Sequence, residues 1–285
     1  MADQYAVIGN PVEHSLSPAI HAEFARATGQ DLAYGKILAP LGGFEAAVSK
    51  FFKEGGKGLN VTLPFKRRAW DMVNFSTDAE SGYAIDAEAV NTIKLTGEKL
   101  FGYNTDGLGL IADLEQNLRL PIRGKRVLLM GAGGATYGVV HPILAREPGL
   151  LVVANRTMDK ANQLVAHFQK KAGAVGRFSA KPYEQLSGSQ FDLVINATSA
   201  GLKNEMPSLP AEVFAPGALA YDMVYGKETP FLKFAASHGA RTSDGLGMLV
   251  EQAAESFSIW RGVRPETRPV IDLLRREGGG RRAEG

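Results

Sequence analysis

Lys66 closes the run Asn60-Val61-Thr62-Leu63-Pro64-Phe65-Lys66, where Pro64 is read as the start of a helix. That puts a cation in the first helical turn, the end that the helix dipole disfavours. A lysine set against its local preference suits a use elsewhere, because an ammonium can stabilise a developing oxyanion and donate a proton to it. The plain alternative is the start of a solvated basic run, Lys66-Arg67-Arg68, and the residues leave both open. Forty residues on, Asp106 opens another helical segment, where a carboxylate either orients a cation or caps the helix. Ser15 and Ser17 stand at a third helix start, just before Pro18. Two hydroxyls there suit a carboxylate ligand; equally, Ser17 is an N-cap and Ser15 faces water. Asn60 and Thr62 alternate with Leu59 and Val61, so the two polar side chains share one strand face. Asn91 sits early in a later strand.

A second constellation is built on glycine. The apolar run Val127–Met130 leads to Gly131, Gly133, Gly134 and Ala135, then a helical segment, a Glu-Pro-Gly break and a second apolar run, Leu150–Ala154. This is a βαβ unit whose glycines let backbone N–H groups approach a pyrophosphate at the positive end of the helix. The third position of the G-x-G-x-x-G/A pattern is Thr136. A free ribose 2′-hydroxyl usually meets an acid at the end of the second strand; here that end reads Asn155-Arg156-Thr157, followed by Lys160. Two cations and no carboxylate point to NADP(H) over NAD(H). The alternative is a helix capped by Asn155 or Thr157 with Arg156 solvated.

These groups need elements to hold them. Strands are expected at Tyr5–Ile8, Leu32–Leu38 and around Leu59–Val61, with helices from Ser17 to about Thr28 and over Phe44–Lys53. A hairpin of Val90–Leu95 and Leu100–Tyr103 turns at Thr96-Gly97, and an amphipathic helix from Asp106 carries Leu108, Ile111, Leu114 and Leu118. Beyond the linker 120–124 the second half alternates strands with helices: a helix over Asp159–Lys171, strands at Phe191–Asn196, Ala218–Val224 and 241–243, and helices at Pro230–Ser237, Met248–Trp260 and Pro269–Arg276. Pro142 is expected to distort the first of these helices, and Gly278 onward reads as frayed. Thr198 follows the Phe191–Asn196 strand, at the end that faces ligands in parallel sheets.

Composition removes other classes. The 285 residues suggest two domains, with 45% hydrophobic and 22% charged residues typical of a globular chain. A net charge of +2 argues against a nucleic-acid partner. Without cysteine there is no disulfide, thiolate chemistry or cysteine-bound metal, and the five histidines show no ligand spacing, so no metal is expected. No signal pattern or apolar run of membrane length is present, so the expectation is a cytoplasmic protein with no membrane partner.

Taken in order, VIGNPVEHSLSP, GLNVTLPFK, AVNT, NTDG, GAGGAT, NRT, NATSAG, YDMVY, TPFL and DGLGMLVEQAA resemble the shikimate dehydrogenase family over residues 7 to 254. The resemblance implies reversible, NADPH-dependent reduction of 3-dehydroshikimate to shikimate, on the route to chorismate and the aromatic amino acids. It implies an α/β fold of two domains: a Rossmann-type NADP-binding domain, residues 106–244, and a discontinuous substrate-binding domain, residues 1–105 and 245–285, with a mostly parallel sheet. Carried onto matching positions, Lys66 and Asp106 form the catalytic pair, and Ser15, Ser17, Asn60, Thr62, Asn91, Tyr221 and Gln252 bind the substrate. Gly131, Gly133, Gly134, Ala135, Asn155, Arg156, Thr157, Lys160, Thr198, Met223 and Gly245 bind the cofactor. A monomer or homodimer is implied. Ala22, Glu88 and Lys160 depart from residues common in the family, which often has asparagine, glycine and arginine there. The rivals are a quinate/shikimate dehydrogenase of the same family, which commonly uses NAD, and a catalytically idle dinucleotide sensor.

Overall fold

A computed structural model describes residues 2–172 and 176–283. In chain order it contains β1 (Asp3–Gly9), α1 (Ser17–Thr28), β2 (Leu32–Leu38), α2 (Phe44–Lys53), β3 (Gly56–Val61), α3 (Lys66–Met72), α4 (Ala79–Ala87), β4 (Thr92–Thr96), β5 (Lys99–Tyr103) and α5 (Asp106–Ala112). There follow β6 (Arg126–Met130), α6 (Gly134–Leu144), β7 (Leu150–Ala154), α7 (Met158–Ala172), β8 (Phe178–Lys181), β9 (Phe191–Asn196) and β10 (Phe214–Asp222). The last elements are α8 (Pro230–Ser237), β11 (Arg241–Asp244), α9 (Leu246–Arg261) and α10 (Arg268–Ala283). The chain divides into two compact units, Met1–Gly109 with Leu249–Gly285, and Leu110–Met248, so it passes between them inside α5 and again inside α9.

The first unit holds a five-stranded sheet of order β2-β1-β3-β4-β5. β1 pairs in parallel with β2 and β3, and the hairpin pairs are antiparallel, so β4 alone runs against the rest. Alternation along β1 separates its two faces. Ala6 and Ile8 pack with Phe44 and Val48 from α2, Ala69 from α3 and Phe65 just before it, while Tyr5 from the other face meets Trp260 of α9 with ring centroids 4.8 Å apart. Gly29, at φ 64, closes α1 in the left-handed conformation that glycine adopts most readily.

The second unit holds six parallel strands in the order β11-β10-β9-β6-β7-β8. Val127 and Leu129 enter one core and Leu128 and Met130 the other, so β6 is buried on both faces, as its apolar run implies. The strand order reverses between β6 and β9, and ligands of such sheets bind beyond the strand ends at that switch point.

Several elements differ from expectation. α4 was not anticipated; its sequence has no apolar stripe, and it is started by Asp78, whose carboxylate accepts from the Ser81 N–H. β8 is a four-residue edge strand, too short for periodicity to register. β10 begins at Phe214, four residues before the expected start at Ala218, because Pro216-Gly217 is absorbed as an irregularity in pairing rather than ending the strand. The hairpin turns at Gly97-Glu98, Asn91 lies in a bend before β4, and α10 runs on through Ala283, past the expected fraying point. Among the described residues no helix is long and apolar enough to cross a membrane.

Candidate active site

Pro64 lies in a turn and does not start α3; Lys66 is the first helical residue. Lys66 Nζ leaves its helix and donates to Asp106 Oδ2 at 2.5 Å. Asp106 in turn does not cap α5, because Asn104 Oδ1 accepts its backbone N–H at 3.1 Å. The carboxylate is thereby free to take Lys66 on one oxygen and Asn91 Nδ2 on the other, at 2.9 Å. The lysine and aspartate side chains are 26% and 14% exposed, dry enough to strengthen the pair yet open to a ligand.

Behind the pair lies a buried polar network. Asn91 Oδ1 accepts the Thr105 N–H at 2.9 Å, which turns its amide nitrogen toward Asp106 and toward Gln252 Oε1, 3.3 Å away. Asn60 Nδ2 faces the Asn91 carbonyl, Thr92 Oγ1 and Ser256 Oγ at 3.0–3.2 Å. Thr62 sits just past β3, its methyl group against Gly9, where a Cβ would come within 2.3 Å of it. The expected N-cap role of Ser17 is corrected: Leu16 is the N-cap residue and Ser17 the first of α1. Ser17 donates its N–H to Ser15 Oγ, and Ser15 donates its hydroxyl to Ser17 Oγ at 3.1 Å, so the two serines face one another. Tyr34, Thr92, Thr105 and Ser256 were missed. Ser256 was within reach of sequence reasoning, since it lies four residues after Gln252 on one helix face.

In the second unit the glycine turn has the shape a phosphate needs. Gly131 has φ 105, and a Cβ there would stand 3.1 Å from Thr198 Cγ2 and 3.3 Å from the Ala197 carbonyl oxygen. Gly133, Gly134 and Ala135 are exposed, and nothing lies within 4 Å of a Cβ built on either glycine. Gly134 and Ala135 open α6, where N–H groups have no intrahelical acceptor. Thr136 replaces the third small residue without loss, because its buried hydroxyl donates to the Gly131 carbonyl at 3.0 Å and ties the turn. Pro142 is accommodated inside α6. Beyond β7, Arg156 and Lys160 are exposed and make no ion pair among the described residues. Arg156 lies near Tyr183, whose pKa burial raises and the guanidinium opposes. Asn155 donates to the Thr157 carbonyl at 2.8 Å. Gly245 is required where it stands, since a Cβ would meet the Met223 carbonyl oxygen at 2.4 Å.

Three family models match the chain. They are the shikimate dehydrogenase substrate binding domain over residues 7–93, shikimate / quinate 5-dehydrogenase over 113–204, and the shikimate 5′-dehydrogenase C-terminal domain over 245–275. Shikimate dehydrogenase (NADP(+)) of Chromobacterium violaceum is 54% identical, over 96% of this chain and 98% of that one. The chain belongs to the shikimate dehydrogenase family. Among solved structures, an Ael1 enzyme from Pseudomonas putida superposes with a TM-score of 0.88 at 47% identity, covering 96% of this chain and 98% of that one. A shikimate 5-dehydrogenase from Thermus thermophilus, in complex with NADP(H) and shikimate, gives 0.84 at 32% identity, covering 96% and 99%.

Within this shikimate dehydrogenase fold one expected residue changes. Tyr221 is fully buried in β10 and donates its hydroxyl to Asp113 Oδ2 at 2.7 Å; burial and that carboxylate push its pKa well up. Nothing of it is left for a substrate. Tyr225, beyond the C-terminal end of β10, is half-buried. The departures from common family residues are explained or harmless. Glu88 takes the left-handed conformation at φ 49 that favours glycine, and its carboxylate pairs with Arg67. Ala22 is exposed.

Proposed function

We propose that this chain catalyses the reversible, NADPH-dependent reduction of 3-dehydroshikimate to shikimate. The observation that carries the mechanism is the 2.5 Å contact between Lys66 and Asp106, two helix-start side chains that serve each other rather than their helices. The bound cofactor supplies the hydride that reduces the carbonyl carbon. Lys66 stabilises the negative charge that builds on the carbonyl oxygen and donates the proton that completes the hydroxyl; in the oxidation direction it takes that proton back. Asp106 holds the ammonium in place through one oxygen, and Asn91 holds Asp106 through the other. Ser15 and Ser17 bind the substrate carboxylate, and Asn60, Thr62, Asn91 and Gln252 bind the ring hydroxyls; Tyr221, buried against Asp113, leaves the set.

Gly131, Gly133, Gly134 and Ala135 would hold the pyrophosphate, since the space over the glycines is open and the α6 N–H groups are uncommitted. Asn155, Arg156, Thr157 and Lys160 would surround the 2′-phosphate, with Thr198, Met223 and Gly245 completing the site. A β7 end that carries two cations, with no ion pair among the described residues, and no carboxylate supports NADP over NAD.

The test is shikimate-dependent reduction of NADP+ measured beside NAD+, with quinate as competitor. Reduction that favours NADP+ and shikimate is expected. No shikimate-dependent reduction would mean an idle dinucleotide binder, and preference for quinate with NAD+ would move the chain to the rival branch of the family.

A further inference from the structure

The Asn60 amide is oriented from both ends. The Asn91 carbonyl, 3.2 Å away, only accepts, so the amide nitrogen must face it. Asn60 Oδ1 is left to Tyr34, whose hydroxyl donates to it at 2.6 Å. The phenol stays protonated to do so: desolvation raises its pKa well above the ordinary value, with the neighbouring Ser17 hydroxyl opposing.

The Tyr34 ring is itself held. It stacks on His21 with centroids 4.2 Å apart and planes within 7°. His21 is fully buried, and neither of its ring nitrogens has a hydrogen-bond partner. Burial drives its pKa down to about 3, an effect that the nearby Asn60 amide only partly offsets. A buried imidazole without a partner is costly. Here it is a neutral flat plate beneath Tyr34, flanked by Phe24, Phe257 and Trp260.

Asn60 Nδ2 meets the main-chain carbonyl of Asn91, so the Tyr34–Asn60 pair is anchored on the backbone at the start of the segment whose side chain holds Asp106. We propose that Tyr34 is a positioning residue for the reaction, its hydroxyl setting the Asn60 amide for substrate. This rests on the functional reading above and deepens it.

The experiment is steady-state kinetics of Tyr34→Phe, which keeps the ring on His21 and removes only the hydroxyl. The KM for shikimate should rise about fivefold to tenfold, the size of one lost hydrogen bond. The turnover number should stay within about twofold, and the KM for NADP+ and the melting temperature should hold. In an Asn60→Ala background the same change should add nothing, because Tyr34 acts through that amide. An unchanged KM overturns the proposal, as does an additive effect in the Asn60→Ala background. Loss of folding, or a parallel loss of stability and of NADP+ affinity, also overturns it, since the hydroxyl would then hold the unit together. Wild-type protein that reduces no NADP+ with shikimate sinks the functional reading itself; an active wild type with an indifferent Tyr34→Phe sinks this proposal alone.

Discussion

The polar network around Lys66 and the glycine turn at the start of α6 solve binding in opposite ways. In the first, Asn60, Asn91, Thr105, Gln252 and Ser256 are tied to one another before any ligand arrives. In the second, the groups on offer are backbone N–H groups over exposed glycines and two cations without ion-pair partners among the described residues. A proton-transfer site must hold its charges in place beforehand, because reorganising them during reaction raises the barrier. On the proposed function the glycine turn needs only reach and charge, and Thr136 stands where a glycine or alanine is usual because its hydroxyl ties the turn to the Gly131 carbonyl. The turn does not tolerate a Cβ at Gly131.

The comparison breaks most easily at Lys66. Lys66→Ala should cut turnover by about 10²–10⁴, the usual contribution of acid–base assistance. Asp106→Asn should also be slow, and the double variant hardly slower than Lys66→Ala, since members of one unit do not add. Losses that multiply would show two separate contributions and no prearranged pair. Melting temperature and cofactor affinity of each variant must match wild type for the reading to count.

The paired serines come next. Replacing both with alanine removes charge-assisted bonds of about 1.5–3 kcal/mol each, a rise of about 10²–10⁴-fold in the KM for shikimate if both are lost in full. Turnover should fall much less. A KM that does not move would remove the carboxylate role and leave Ser15 and Ser17 as turn residues.

On the cofactor side, Arg156→Ala should weaken NADPH by about 2 kcal/mol, roughly thirtyfold, with NADH nearly unaffected. Titration of both cofactors decides it. Equal weakening would make the arginine part of the fold and blur the contrast between a locked site and an open one.

The last effect is on stability rather than on kinetics and concerns the apolar support of the locked site. Burial lowers the His21 pKa from 6.5 to about 3, so the unfolded chain takes up a proton below 6.5 that the folded chain refuses. Its contribution to stability is full above 6.5 and is lost as the pH falls toward 3, at up to about 1.4 kcal/mol per pH unit. Urea midpoints at neutral and acid pH should therefore separate more in wild type than in His21→Leu. Parallel shifts in the two proteins would show that His21 is not buried neutral.

Local signals carried far. The sequence alone determined the bounds of β2, α2, β7, β9 and α8, and the glycine turn of α6, because apolar runs, caps and breakers act within a few residues of themselves. It placed Lys66 and Asp106 at helix starts, where the lysine's conflict with the dipole was legible. Only the tertiary structure decided what those residues meet. Asn60 and Ser256 are 196 residues apart and 3.0 Å away from each other, a pairing no spacing announces. Whether a tyrosine is core is likewise decided by its neighbours. Tyr221 and Tyr225 share one motif, yet β10 buries the first against Asp113 and leaves the second beyond the strand end. The partner of a polar group is set by which chain segments pack around it, and that packing is a property of the whole fold.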